Sequence, residues 1–234
     1  MSELREKILG LQVQLMTKDS FAQSPLCDEV LRLIEELDNE DAKIELCKLV
    51  LLYLIDLERM EDAQGCIDML MAHADYRSHL SALWARSIIC QRKKEVRGYA
   101  QCFDEGIAIA SEHNDTEALA EGYLFRGKAM IYADSLDEAL EDLNKSIMYA
   151  TDEKNFKLVA TCKYYIGFVL LAMDHVELGM EQLRDASEIA HEQKSQSIIM
   201  HTEVVRALYY LGKGENDAAL KVLSSWFEEF KMML

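Results

Sequence analysis

An all-α fold built from about six stacked helix pairs is what this sequence predicts, on three observations. The first is a forty-residue echo: Gly127, Gly167 and Ala207 are evenly spaced, as are Ala139, Gly179 and Ala219, and Leu143, Leu183 and Leu223. Fixed self-similarity at such a period marks a helical repeat array, in which each unit buries its apolar side on the next. The second is the scarcity of breakers, one proline and ten glycines in 234 residues, which disfavours a turn-rich β fold. The third is that half of the residues are apolar and recur at helical spacing, enough for a continuous core.

The pairs follow in order. The first is degenerate, as terminal repeats often are: residues 2–17 place Leu4, Ile8, Leu11 and Leu15 on one face, and Ser24 caps a second helix that has Pro25 in its first turn and runs to Asp38. The second pair, 41–57 and 60–74, keeps Ala63 and Ile67 in place. The third, 76–91 and 95–112, slips by about one residue, with Ala100 or Gly106 as its small contact residue. The fourth is the clearest, 116–132 and 136–151, with Ser135 and Glu138 spaced as a capping box. The fifth covers 156–173 and 176–193, and the sixth 196–212 and 215–233, where Gly212 and Gly214 suit the left-handed stop of a helix. No linker divides the chain, so one solenoid is expected over 1–234: a capping pair at 1–38, weaker repeats at 39–115 and clear ones at 116–234.

Composition excludes several functions. With 42 acids against 25 bases the net charge is −17, a field that repels nucleic acid and anionic membranes and attracts partners with basic segments. No apolar run approaches the length of a membrane span, and the charged start has no secretory signal, so a cytoplasmic protein is expected. The six cysteines are scattered, without a C-x-x-C pair, and read as small reduced hydrophobes. The six histidines form no paired-ligand spacing, and no phosphate-binding or nucleophile motif is present. No metal, cofactor or catalytic residue is predicted. Arg92, Lys93, Lys94 and Arg97 form a basic cluster on a turn, most simply a solvated loop.

The run from Tyr123 to Ile147, with Gly127 in the first helix, an Asp-bearing turn, Glu138-Ala139-Leu140 opening the second and the small Ser146 beyond Leu143, resembles a tetratricopeptide repeat. Ile166-Gly167 with Gly179, Leu183 and Ala186 matches again, and Ala207 with Ala219 and Leu223 more loosely. The resemblance, to the long-helix type of bacterial regulators and adaptors, implies a right-handed α–α superhelix whose first helices line a concave groove for protein or peptide segments. Trp84, Ile88, Leu124, Lys128, Ile131, Tyr164, Phe168 and Leu208 stand at positions similar to the groove-lining ones; with the helices slightly rotated, the same residues are ordinary core. Arg86, Arg126 and Arg206 recur at one repeat position and either grip ligand carboxylates or pair with acids of the second helices. Only Lys128 matches the family's carboxylate clamp.

The last helix ends in Trp226, Phe227, Phe230 and Met233. An apolar end where a polar cap is usual either packs back on the fifth pair or marks a candidate association surface, for a homodimer through this helix or for a following domain. The expected function is a non-catalytic scaffold or adaptor binding a protein or peptide partner. The alternative is the sensory or dimerising input domain of a larger bacterial signalling protein.

Overall fold

The computed structural model describes residues 10–11, 14–15 and 20–233, with side chains over 23–224 of the last stretch. Among these residues the structure is all helix, with no strand: α1 (Ser20–Glu36), α2 (Glu40–Asp56), α3 (Met60–Ala72), α4 (Tyr76–Arg92), α5 (Val96–Glu112), α6 (Thr116–Tyr132), α7 (Leu136–Asp152), α8 (Phe156–Ala172), α9 (Val176–Glu192), α10 (Gln196–Gly212) and α11 (Asn216–Met233). They form two compact units that divide after Ile109, within α5.

In the first unit α1–α4 share one core, which Leu11 and Leu15 join from ahead of α1. Leu4 and Ile8 lie outside the described residues. Arg59 ties α1 to α3 through Asp28 and Asp62, both at 2.7 Å. One expectation is corrected here: α1 begins at Ser20 and carries Pro25 inside it rather than in its first turn. The turn ahead of Pro25 is held from outside the helix, where the Gln23 amide donates to the Leu15 carbonyl at 2.9 Å.

In the second unit each helix packs on the next, and alternate helices α6, α8 and α10 also touch directly. The forty-residue echo is the crossing between the helices of each pair. A Cβ placed on Gly127 would meet Leu143 at 3.1 Å and the Ala139 carbonyl at 3.3 Å; on Gly167 it would meet Leu183 at 2.7 Å and the Gly179 carbonyl at 3.0 Å. Ala207 and Ala219 fill the same places in the last pair and are buried. In α4 the place belongs to Ser87, fully buried, and in α5 the residue at the position of Ala139 is Tyr99. The helices of the third pair keep the forty-residue spacing of the later ones, so it has no register slip; a Cβ on Gly106 would lie 3.7 Å from Leu80 on α4. A buried serine and an aromatic ring stand where later pairs have small residues.

A second, shorter period lies in the turns. Lys94, Asn114, Asp134, Lys154, Asp174, Lys194 and Gly214 all have positive φ and are spaced by twenty. Around each the backbone closes in the same way; at Asp134, Ser135 N–H donates to the Met130 carbonyl at 2.9 Å and Asp134 N–H to that of Ile131 at 3.1 Å. This pattern satisfies the last carbonyls of a helix and needs a left-handed residue. Gly214, φ 77°, fills that place in the sixth pair, while Gly212 is the last residue of α10. At the other turns a side chain sits where glycine is cheaper, so Lys154→Gly is expected to raise stability by about 0.5–1 kcal/mol, read as a higher urea midpoint.

The capping box at Ser135 and Glu138 does not form: Ser135 precedes α7 without a side-chain cap, and so does Ser195 before α10. Asp115 and Asn155, on similar backbone, do cap, accepting from Ala118 N–H at 3.1 Å and Leu158 N–H at 3.2 Å. With ψ near 70–90° at these positions, the serine side chain falls one atom short of the amide that aspartate or asparagine reaches.

All six cysteines are free, and only Cys90 is not fully buried. Burial pushes the thiols of Cys102 and Cys162 up to about 11, so they stay protonated near neutrality and unreactive. Iodoacetamide at pH 8 is therefore expected to modify Cys90 in the native protein and the other five only after unfolding, as read by peptide mass spectrometry.

Candidate functional site

The residues singled out for a groove separate by environment. In the first unit Trp84 is exposed on α4, while Ile88 packs against the core. In the second unit Leu124, 4 % exposed, belongs to a core cluster with Leu143, Cys162 and Ile166, and Ile131 packs on that cluster. Leu124 faces inward, on the side of α6 where Gly127 draws α7 close, while Ile131 is partly buried at the edge of the same cluster. Beside them, Ser146 Oγ donates to the Ala120 carbonyl at 2.6 Å and Cys162 Sγ to Ser146 Oγ at 3.1 Å, joining α6, α7 and α8.

Lys128, Tyr164, Phe168 and Leu208 share a different surface. Lys128, Phe168 and Leu208 occupy one repeat position on α6, α8 and α10, and the direct packing of these helices sets them along one face. Phe168 is 41 % exposed and Leu208 60 %. Tyr164 is half-buried, its ring 4.8 Å from that of Tyr165 and 5.8 Å from the His201 imidazole on α10. The Lys128 ammonium lies 5.1 Å from the Phe125 ring centroid and 5.3 Å from that of Tyr165. Burial pushes its pKa below the ordinary lysine value, and Tyr132 opposes the shift. Burial likewise raises the phenols of Tyr164 and Tyr165. The face is apolar and aromatic around one cation.

The three arginines each meet a carboxylate of the chain itself, unequally. Arg126 holds Asp142 of α7 bidentately, Nε to Oδ2 at 2.8 Å and Nη2 to Oδ1 at 2.7 Å. The guanidinium also lies 5.3 Å from the Tyr123 ring, which stacks on Tyr149. Arg206 turns to Glu203, one helical turn back, at 2.8 Å, and Glu203 also accepts from Ser187 at 3.2 Å. Arg86 comes only within 3.9 Å of Glu105. The cause lies in the facing helix: the place of Asp142 is taken by Cys102 opposite Arg86 and by Val222 in the last pair. Arg206 Nε is accordingly buried without a partner.

Two constellations emerge that the sequence does not reveal. Ser78 Oγ lies 3.4 Å from His73 Nδ1, and His73 Nε2 lies 3.4 Å from Asp41. The residue types are those of a nucleophilic triad, but Ser78 is fully buried and no substrate can reach it; the string fastens the start of α2 to the α3–α4 turn. In the basic cluster, Arg92 donates to the Ile55 carbonyl at 2.8 Å and pairs with Asp56, which ties the end of α4 to that of α2 and leaves Lys93, Lys94 and Arg97 in solvent.

A cavity of about 370 Å³ is walled by Glu117, Glu153, Lys154 and Asn155 with Ala120 and Ala150, a set distinct from the aromatic face. Among the described residues no group of three histidine, cysteine or acidic side chains is placed to hold a metal, and no helix is long and apolar enough to cross a membrane. The side chains of Trp226, Phe227, Phe230 and Met233 lie outside the described residues.

No protein-family model matches this sequence, and no match is found among curated proteins. Similar solved structures include RapI in its apo form, with TM-score 0.79 and 11% identity over 99% of this chain and 84% of that one. BtubC (BKLC) from P. vanneervenii gives TM-score 0.73 and 12% identity over 98% of this chain and 92% of that one. Aspartyl phosphate phosphatase F from Bacillus subtilis gives 0.71 and 13% over 97% of this chain and 59% of that one. At these identities the likeness is one of fold, and the fold is the tetratricopeptide-like helical repeat.

Proposed function

We propose that this chain is a non-catalytic cytoplasmic scaffold that binds a protein or peptide segment along the face formed by α6, α8 and α10. The observation that carries the reading is the row of Phe168 and Leu208, large apolar side chains left open to solvent on adjacent helices, beside the half-buried rings of Tyr164 and Tyr165. A partner's apolar side chains bury there, while the excess of acids draws in basic flanks and raises the rate of encounter. Full burial of a phenylalanine or leucine is worth about 1.5–3 kcal/mol. Phe168→Ala with Leu208→Ala is therefore expected to weaken capture of a native partner at least about tenfold, with an unchanged helical circular-dichroism spectrum. Unchanged affinity, measured by calorimetry on a partner identified by co-purification from the native host, would remove this face from consideration.

A second reading is supported by the lengths of the three solved neighbours, all longer than this chain, of which Aspartyl phosphate phosphatase F is matched over only 59% of its length. The chain would then act as the input domain of a larger signalling protein, with its last helix as a dimer contact. Sedimentation of the full chain, wild type against Trp226→Ser with Phe230→Ser, tests the dimer directly.

A further inference from the structure

Cys90 is the one cysteine that is not fully buried, and the pairing of α4 with α5 sets it against a second thiol. Arg86 on α4 and Glu105 on α5 lie 3.9 Å apart. One turn on from Arg86 is Cys90, and one turn back from Glu105 is Cys102, so an antiparallel hairpin brings the two sulfurs to one level. The helices are close there. A Cβ on Gly98, one turn before Cys102, would meet the Cys90 sulfur at 3.0 Å and its Cβ at 3.8 Å; Cβ atoms joined through a disulfide stand about 3.5–4.5 Å apart. The Cys102 thiol is raised first by burial and next by Cys90 itself, while Arg86 pulls it down, the electrostatic mark of two neighbouring sulfurs with a guanidinium nearby.

We propose that Cys90 and Cys102 are a site of oxidative modification, at which a hydroperoxide converts the two thiols to a disulfide between α4 and α5. The Cys90 thiolate attacks one oxygen of the peroxide; an S–O bond forms, the O–O bond breaks, and an alcohol or water leaves with the thiol proton. The Cys102 sulfur then attacks the sulfur of the sulfenic acid; an S–S bond forms, the S–O bond breaks, and hydroxide leaves with the Cys102 proton as water. The thiols together give up two electrons, which reduce one peroxide. Cys102 is closed to reagents in solution, but this step needs no solvent access, because the electrophile is its neighbour. Oxidation of Cys90 also removes the neighbouring thiolate that raises the Cys102 thiol.

The chain holds an internal control. The thiols of Cys47 on α2 and Cys66 on α3 are hydrogen-bonded to each other, yet both are buried, and the peroxide does not reach them. Adjacency with one sulfur open to water is what distinguishes Cys90 and Cys102, and disulfides inside cells are mostly transient and redox-sensing ones of this kind.

The test is treatment of the reduced full chain with hydrogen peroxide, then alkylation after unfolding and peptide mass spectrometry without reductant. The expected result is one linkage within the chain, from Cys90 to Cys102, reversed by dithiothreitol, with Cys27, Cys47, Cys66 and Cys162 alkylated. The linked protein should melt at a higher temperature than the reduced one, because the bond restricts the unfolded chain. Cys102→Ala should form no linkage, and dimedone should trap its Cys90 as the sulfenic acid, where the wild type gives little adduct. Should Cys102→Ala fail to fold, the wild-type peptide map still decides. A wild type in which Cys90 proceeds to the sulfinic acid unlinked, joins a second chain, or stays reduced while Cys47 joins Cys66 would overturn the assignment. Linkage with a lowered melting temperature would mean a strained, adventitious bond and would overturn it as well.

Discussion

Asp142→Ala is expected to cost about 3–5 kcal/mol of folding stability, the range seen when one member of a buried ion pair is removed. The Asp142 side chain is 6 % exposed and that of Arg126 23 %. Both oxygens of the acid are taken by the guanidinium, which also lies 5.3 Å from the ring of Tyr123. Truncation strips the arginine of its bidentate partner where water reaches poorly, and leaves a small void between α6 and α7. The expected result is a fall in urea midpoint at unchanged slope, since the surface exposed on unfolding barely alters. Replacing both residues, Arg126→Met with Asp142→Leu, should recover most of the loss, because a buried pair is worth little more than apolar groups of its size. If Asp142→Ala costs less than about 1 kcal/mol, the pair behaves as a surface contact.

Gly167→Val is expected to destabilise by about 3 kcal/mol or more, at the upper end of overpacking. Even a Cβ there would stand 2.7 Å and 2.9 Å from two atoms of Leu183 and 3.0 Å from the Gly179 carbonyl. The leucine can swing aside, but the carbonyl belongs to α9 and moves only with the helix. Gly179 makes the reciprocal contact, its added Cβ 3.0 Å from the Gly167 carbonyl, so the two helices touch backbone to backbone. Gly127→Ala, with its nearest contacts at 3.1 and 3.3 Å, should cost less than Gly167→Ala. Gly65→Ala provides the opposite sign: nothing lies within 4 Å, and a mid-helix glycine replaced by alanine should gain about 0.5–1 kcal/mol. Thermal melts of the four variants test the order. Equal gains in the three glycine-to-alanine variants would mean that helix propensity, not the crossing, sets the effect.

Much of the fold is legible in the sequence because its causes are local. Helix lengths follow from apolar spacing, and the forty-residue echo marks Gly127, Gly167 and Ala207, which do lie at the crossings. The twenty-residue period of the turns is harder to read, since lysine, asparagine, aspartate and glycine all fill the left-handed position. The third pair reads as slipped because Ser87 and Tyr99 replace the small residues that carry the echo. The pairing of Arg126 was open between a ligand and an internal acid, and a recurring arginine does not say which. Only the residue on the facing helix does, and it changes from Cys102 opposite Arg86 to Asp142 opposite Arg126 to Val222 in the last pair.

The sequence by itself determined that this protein is a chain of helix hairpins and where most of them begin, end and cross. Those are properties of φ, ψ and of residues three or four apart, the distance at which helical side chains meet. Only the tertiary structure decided that Leu124 is core, that Phe168 and Leu208 are open, that Arg126 is held by Asp142 and that Lys128 has no acid. A side chain's partner depends on the rotation of its helix against neighbours sixteen or more residues away, and one residue of rotation, about 100° on a helix of 3.6 residues per turn, exchanges a buried face for an open one.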